Sequence, residues 1–174
     1  MSHQNLTLST VNTMSQADFV QTFGATFEHS AWVAEGAWKA RPFASVDALH
    51  AAMMQVVRSQ PRERQVAFLC AHPELAGKEA QAGTMTDDSV VEQASAGLNA
   101  LTRAEIDEMA RLNATYRDKF GFPFCIAVRR NTKDQIFDAM RRRVANDSET
   151  ELEENLAQIG YITRLRLDSH FAQS

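Results

Sequence analysis

His72 is the residue of this 174-residue chain whose setting most suggests proton chemistry. The stretch Arg64-Gln65-Val66-Ala67-Phe68-Leu69-Cys70-Ala71-His72 is amphipathic, and Pro73 follows it. A proline disfavours helical geometry in the residue before it and lacks the N–H for the next backbone bond, so a helix begun by Ser59 ahead of Pro61 is expected to stop at His72. The imidazole then stands at a helix C-terminus. Unpaired carbonyls there favour a protonated ring, the state a proton donor needs near neutral pH. A histidine that merely caps its helix would occupy the same place, and the segment alone leaves both readings open.

Three further groups merit attention. Ser89, Glu92 and Gln93 are spaced i, i+3, i+4 on one expected helix face, a carboxylate, an amide and a hydroxyl suited to a small ligand rich in N–H and C=O groups, or to plain solvation. Arg166 projects onto the apolar stripe of the last helix with Leu152, Leu156, Ile159 and Thr163, whereas Arg164 falls off it. A guanidinium so placed calls for a carboxylate of the protein, another planar acceptor or an anionic ligand, unless its chain snorkels past the helix end. Phe120 to Val128 reads as a buried extended connector without a second strand to pair with, so its backbone groups need other partners, a substrate among them. The five histidines show no metal-ligand spacing, neither cysteine has the local signature of a nucleophile, and no Gly-rich phosphate loop or G-x-S-x-G elbow occurs.

The elements that must position these groups are helices. Ser15, Ser45, Thr86, Thr102 with Glu105, Thr132 and Ser148 with Glu151 are expected starts, and apolar residues recur at helical spacing behind them. Residues 75–86, rich in Ala, Gly and Thr, read as a loop, and Met1 to Val11 as a loose tail. The expectation is an all-α fold, a single-domain irregular bundle of about seven to eight helices over residues 12–174. A net charge of -4 and the absence of a basic block interleaved with aromatics argue against nucleic acid, with Arg141-Arg142-Arg143 read as a solvated face. No apolar run reaches the roughly 20 residues of a membrane span, and no secretory leader is evident, so a cytoplasmic protein with no membrane partner is expected. Cys70 and Cys125 are expected to be reduced and mostly buried.

Longer motifs join these residues. Ala71-His72-Pro73-Glu74-Leu75-Ala76-Gly77, then Ser89-x-x-Glu92-Gln93 with Gly97-Leu98, then Leu112-Asn113-x-x-Tyr116-x-x-Lys119-Phe120-Gly121-Phe122-Pro123-Phe124, and Leu165-Arg166-Leu167 resemble the OHCU decarboxylases. These act on 2-oxo-4-hydroxy-4-carboxy-5-ureidoimidazoline (OHCU) in uric acid degradation. The likeness extends from about Asn12 to Phe171 and includes Phe27-Glu28-His29-Ser30 and Arg41-Pro42-Phe43. Ala31 departs from it, where many relatives carry proline. The resemblance implies an all-helical homodimer that uses no cofactor and no metal, and turns OHCU into S-allantoin. It assigns catalysis to His72 and Glu92, and substrate binding to Pro73, Ser89, Gln93, the backbone of Phe124, Ile126 and Val128, and Arg166. The rival readings are a helical binding module without chemistry, disfavoured by His72, Glu92, Gln93 and Arg166 being present together, and the hydrolase of the preceding step, whose relatives are sheet-rich.

Overall fold

The computed structural model describes residues 5–171. Among them are ten α-helices and one 3-10 turn, and the strand-like pairing is an isolated parallel bridge between Leu6 and Phe171. The fold is all-α, as the periodicity implies. Eight helices have seven residues or more; the two beyond the expected number, α1 (Leu8–Thr13) and α6 (Lys78–Ala82), are short. α1 begins in the expected tail, Met1 to Val11, and runs two residues past it, so residues 8–11 are helical rather than loose, while α6 lies in the expected loop. α1 buries one residue, Val11, and α6 buries none, so neither has a stripe that periodicity can register. The tail's first four residues lie outside the described ones.

The described chain divides into two compact units, residues 5–65 with 163–171, and residues 66–162, with the divisions falling inside α5 (Arg62–Cys70) and α10 (Ser148–Asp168). In the first unit Ser15 and Ser45 cap α2 (Gln16–Phe23) and α4 (Val46–Arg58) by accepting from Asp18 N and Ala48 N. α4 buries Leu49, Met53 and Val57, each worth about 1.5–3 kcal/mol in water-to-core transfer. α3 (Trp32–Trp38) packs on α4 so closely that a Cβ on Gly36 would stand 2.9 Å from both Val56 methyls. Ser59 terminates α4, its Oγ donating to Val56 O, and so does not begin α5. The carbonyl of Pro61 instead accepts from Gln65 N at the start of that helix.

In the second unit Thr86 caps α7 (Asp87–Ser95), and reciprocal capping boxes of Thr102 with Glu105 and Thr132 with Gln135 begin α8 (Arg103–Phe120) and α9 (Lys133–Arg143). The box expected at Ser148 is absent. Asp147 Oδ1 accepts from Thr150 N at 2.8 Å, while the fully buried Glu151 turns inward to Arg143 Nε at 2.8 Å. The arginine triple is accordingly split. Arg141 pairs with Glu108 and Asp138 on the outside, and Arg143 is 2% exposed. An acid and a base that neutralise each other can enter a core together that neither could enter alone.

Candidate active site

α5 ends at Cys70, and the next amides turn back, Ala71 N to Phe68 O and His72 N to Leu69 O. His72 therefore stands two residues beyond the helix, half-buried, with its ring edge-on to Phe68 at 5.2 Å between centroids. Its Nδ1 lies 3.1 Å from Phe68 O. A carbonyl can only accept, so the bond to Phe68 O places a hydrogen on Nδ1.

α7 is amphipathic in the reverse sense. Ser89 and Gln93 are buried at 4% and 6% exposure, while Val90 and Val91 are 48% and 53% exposed. Burying the polar face and exposing the apolar one opposes the hydrophobic gradient, so polar contacts hold this helix in place. Gln93 supplies them: its Oε1 accepts from Ala76 N at 2.9 Å, and its Nε2 donates to Glu74 O at 3.3 Å and contacts Met85 Sδ at 3.2 Å. α7 is thereby tied to the chain just after His72 and Pro73. It also packs against the 3-10 turn Val128–Arg130. Glu92 is half-buried on the same helix.

The run from Pro123 to Ala127 is extended and buried, shorter than the expected Phe120 to Val128 because Phe120 closes α8 and Val128 opens the 3-10 turn, and its backbone is paired along one edge by side chains. Asn155 receives Cys125 N at 2.9 Å and donates to Pro123 O at 3.1 Å. Arg143 donates to Cys125 O at 2.8 Å, and Gln158 Oε1 accepts from Ala127 N at 3.0 Å. In extended chain the amide and carbonyl of one residue point to one side and those of the next to the other. The odd-numbered residues thus face α9 and α10, except the Ala127 carbonyl, which accepts from Arg130 N and Asn131 Nδ2. The N–H and C=O of Phe124 and Ile126 face the other way, and no described residue bonds them. Backbone groups left in this way are open to a partner such as water or a ligand.

Behind this segment lies a closed network. Tyr116 Oη donates to Glu151 at 2.6 Å, and Asn146 also donates to that carboxylate. Burial first, and the hydrogen bond to Glu151 second, push the Tyr116 phenol far above its ordinary value. Burial likewise pushes the Cys125 thiol up to about 12. Cys70, expected to be buried, is exposed, because it sits on the outer side of the last turn of α5.

Arg166 belongs to the other unit. It is 9% exposed and has an internal carboxylate: its NH2 donates to Glu28 Oε1 at 3.0 Å, and Glu28 is itself 2% exposed. The first alternative read from its helical projection, a protein carboxylate, is therefore realised. Also within the second unit, a cavity of about 450 Å³ is bordered by Gln93, Val90, Leu98 and Ile106, but by neither His72 nor Glu92. Among the described residues no group of three or more His, Cys, Asp or Glu is placed to hold a metal ion, and no helix is long and apolar enough to cross a membrane.

Sequence reasoning missed Glu74, Asn113, Arg117, Arg143, Asn155 and Gln158, which touch either the turn after His72 or the extended run. One signal was available. A buried strand without a partner strand demands side-chain amides and guanidinia from elsewhere, and the last helix carries Asn155 and Gln158 one turn apart.

The profile of the OHCU decarboxylase family matches residues 12–168. A 2-oxo-4-hydroxy-4-carboxy-5-ureidoimidazoline decarboxylase of Haloferax volcanii is 46% identical over 167 residues, covering 96% of this chain and 97% of the relative. That of Xenopus laevis is 37% identical over 92% of this chain and 91% of its own. A crystal structure of (S)-allantoin synthase superposes with a TM-score of 0.76 at 30% identity, covering 95% of this chain, which spans 54% of that longer one. An OHCU decarboxylase crystallised in the presence of (S)-allantoin shares the fold, with a TM-score of 0.64 at 22% identity over 82% of this chain and 92% of that one. The chain belongs to the OHCU decarboxylase family.

Proposed function

We propose that this protein decarboxylates OHCU to S-allantoin, with His72 as the proton donor and Glu92 as the carboxylate that holds and polarises it. The observation that carries the reading is the inverted helix α7, which buries Ser89 and Gln93 and is tied to the residues following His72 while packing beside the end of the extended run. Losing CO2 leaves an electron pair. The substrate itself accepts it, because the C=N bond beside the carboxylate-bearing carbon takes up the pair as the C–C bond breaks. A proton added to one face of the ureido-bearing carbon then fixes the S configuration, and the 4-hydroxyl proton passes to the ring nitrogen that received the pair as the carbonyl forms.

The unbonded N–H and C=O groups of Phe124 and Ile126, with the neighbouring Val128, are suited to the ring amides and ureido arm, which offer the same two group types. Pro73, Ser89 and Gln93 complete the proposed lining, Gln93 acting partly through the turn it holds. Arg166 as an anchor for the substrate's anionic end rests on the Leu165-Arg166-Leu167 resemblance; two of its N–H groups already serve Glu28 and Thr26. Acid–base assistance by His72 is worth roughly 100- to 10,000-fold. The domain from about Asn12 onward, the homodimer and the cytoplasmic location belong to the same proposal, and sedimentation velocity tests the dimer.

The test is to generate OHCU in the cuvette from urate and follow circular dichroism at an allantoin band. The expected result is accelerated decay to optically active product with the wild-type chain, and for folded His72→Ala or Glu92→Ala a fall of at least about 100-fold with nearly racemic product. Full activity in either variant removes the assignment.

A further inference from the structure

Three successive residues after His72 and Pro73 are each held by a side chain distant in sequence. Arg117 Nε donates to Glu74 Oε1 at 2.9 Å, Asn113 Nδ2 donates to Leu75 O at 3.0 Å, and Gln93 bridges Glu74 O and Ala76 N. Asn113 and Arg117 are four residues apart on α8 and so share one face. Ala76 adopts a φ of +46°, a left-handed geometry that a residue with a Cβ takes up only when its surroundings impose it. The bonds to residues 74–76 are what impose it here. Upstream, the imidazole is tied through Nδ1 to Phe68 O. His72 is thus fixed from both sides, by its helix and by this clamped turn.

We propose that Asn113 and Arg117 are positioning residues for His72, acting through the turn at residues 74–76 without touching the substrate. This rests on the reading of His72 as the proton donor. The Arg117–Glu74 pair distinguishes positioning from mere stability. Their side chains are 37% and 18% exposed, so the pair is screened and contributes little to folding. A displacement of about 1 Å at a proton donor, by contrast, costs on the order of 100-fold in rate.

Arg117→Met and Arg117→Lys are compared with wild type for kcat and KM on OHCU, for the optical purity of the allantoin, and for the imidazole 1H–15N resonances of His72 without substrate. Arg117→Met is expected to melt within a few degrees of wild type, lose about 10- to 100-fold in kcat with KM within about twofold, yield less optically pure product and shift the His72 resonances. Arg117→Lys, which keeps a cation beside Glu74, is expected to recover most of each change. A His72 resonance unmoved in Arg117→Met overturns the inference whatever the rate, as does a kcat within twofold of wild type. If the wild-type chain fails to accelerate OHCU decay, the assigned reaction falls, while a shifted and lysine-rescued His72 resonance still supports the clamp.

Discussion

Replacing Asn155 with leucine is the sharpest test of how the extended run is held. The side chain is fully buried and makes four hydrogen bonds: Oδ1 accepts from Cys125 N at 2.9 Å and Arg143 NH2 at 2.7 Å, and Nδ2 donates to Tyr116 Oη and Pro123 O at 3.1 Å each. Leucine keeps the branched outline but is bulkier, so the polar cost is a lower bound to which overpacking adds. Arg143 and Tyr116 retain Glu151, and each loses about 0.5–1.5 kcal/mol. Cys125 N is left without a partner, and Pro123 O keeps only a weak thiol contact at 3.7 Å. Two buried groups orphaned in this way cost roughly 1–3 kcal/mol each. The expected total is about 3–9 kcal/mol, a large part of the roughly 5–15 kcal/mol that keeps a domain folded. Urea titration followed by far-UV circular dichroism should show the midpoint falling by more than about 1 M. Because the same bonds aim Phe124 and Ile126 away from α10, KM for OHCU should rise in whatever protein remains folded. A stability loss below about 1 kcal/mol, or a large loss with KM unchanged, would refute the reasoning.

Two further predictions concern groups the reaction does not use. The exposed Cys70 should react promptly with a thiol reagent, whereas Cys125, buried and with its thiol pushed up to about 12, should react only in urea; fast titration of two thiols per folded chain would contradict this. Tyr116 should contribute no tyrosinate absorbance while the chain is folded. With its folded pKa raised above the unfolded value near 10, its contribution to stability is complete below about pH 10 and is lost as pH rises further, because the unfolded chain releases the proton first. Alkaline unfolding should therefore coincide with ionisation of Tyr116, and tyrosinate absorbance from both Tyr116 and Tyr161 in a folded protein would exclude the Tyr116–Glu151 bond.

The features legible in the sequence were those carried by neighbours along the chain. Pro73 directly follows His72, Thr102 and Glu105 lie one turn apart, and the stripe of Leu49, Met53 and Val57 repeats at helical spacing, so local geometry alone locates them. What escaped was decided across distance. Ser148 and Glu151 have the spacing of a capping box, yet Glu151 is drawn away by Arg143, and Asp147 takes the cap. The face of Ser89 and Gln93 has the composition of a wet surface, and only the presence of Glu74 and Ala76 opposite it makes burial favourable. Hydropathy points the wrong way there because the stabilising bonds run to backbone groups, which carry no residue type.

The extended run shows how far such long-range pairing is still constrained by arithmetic. Asn155 meets Cys125 N and Gln158 meets Ala127 N, so three residues along a helix are matched to two along a strand. Three helical residues rise about 4.5 Å and two extended residues about 6.6 Å, a mismatch of about 2 Å. Glutamine is one methylene longer than asparagine, about 1.5 Å of added reach, and it is the glutamine that stands farther along both elements. Order and length in Asn-x-x-Gln are therefore both required: interchanging the two residues would shorten the reach where the gap is widest. Because that pairing occupies the odd-numbered residues, it also determines that Phe124 and Ile126 present their amides and carbonyls to the opposite side, the side proposed for the substrate.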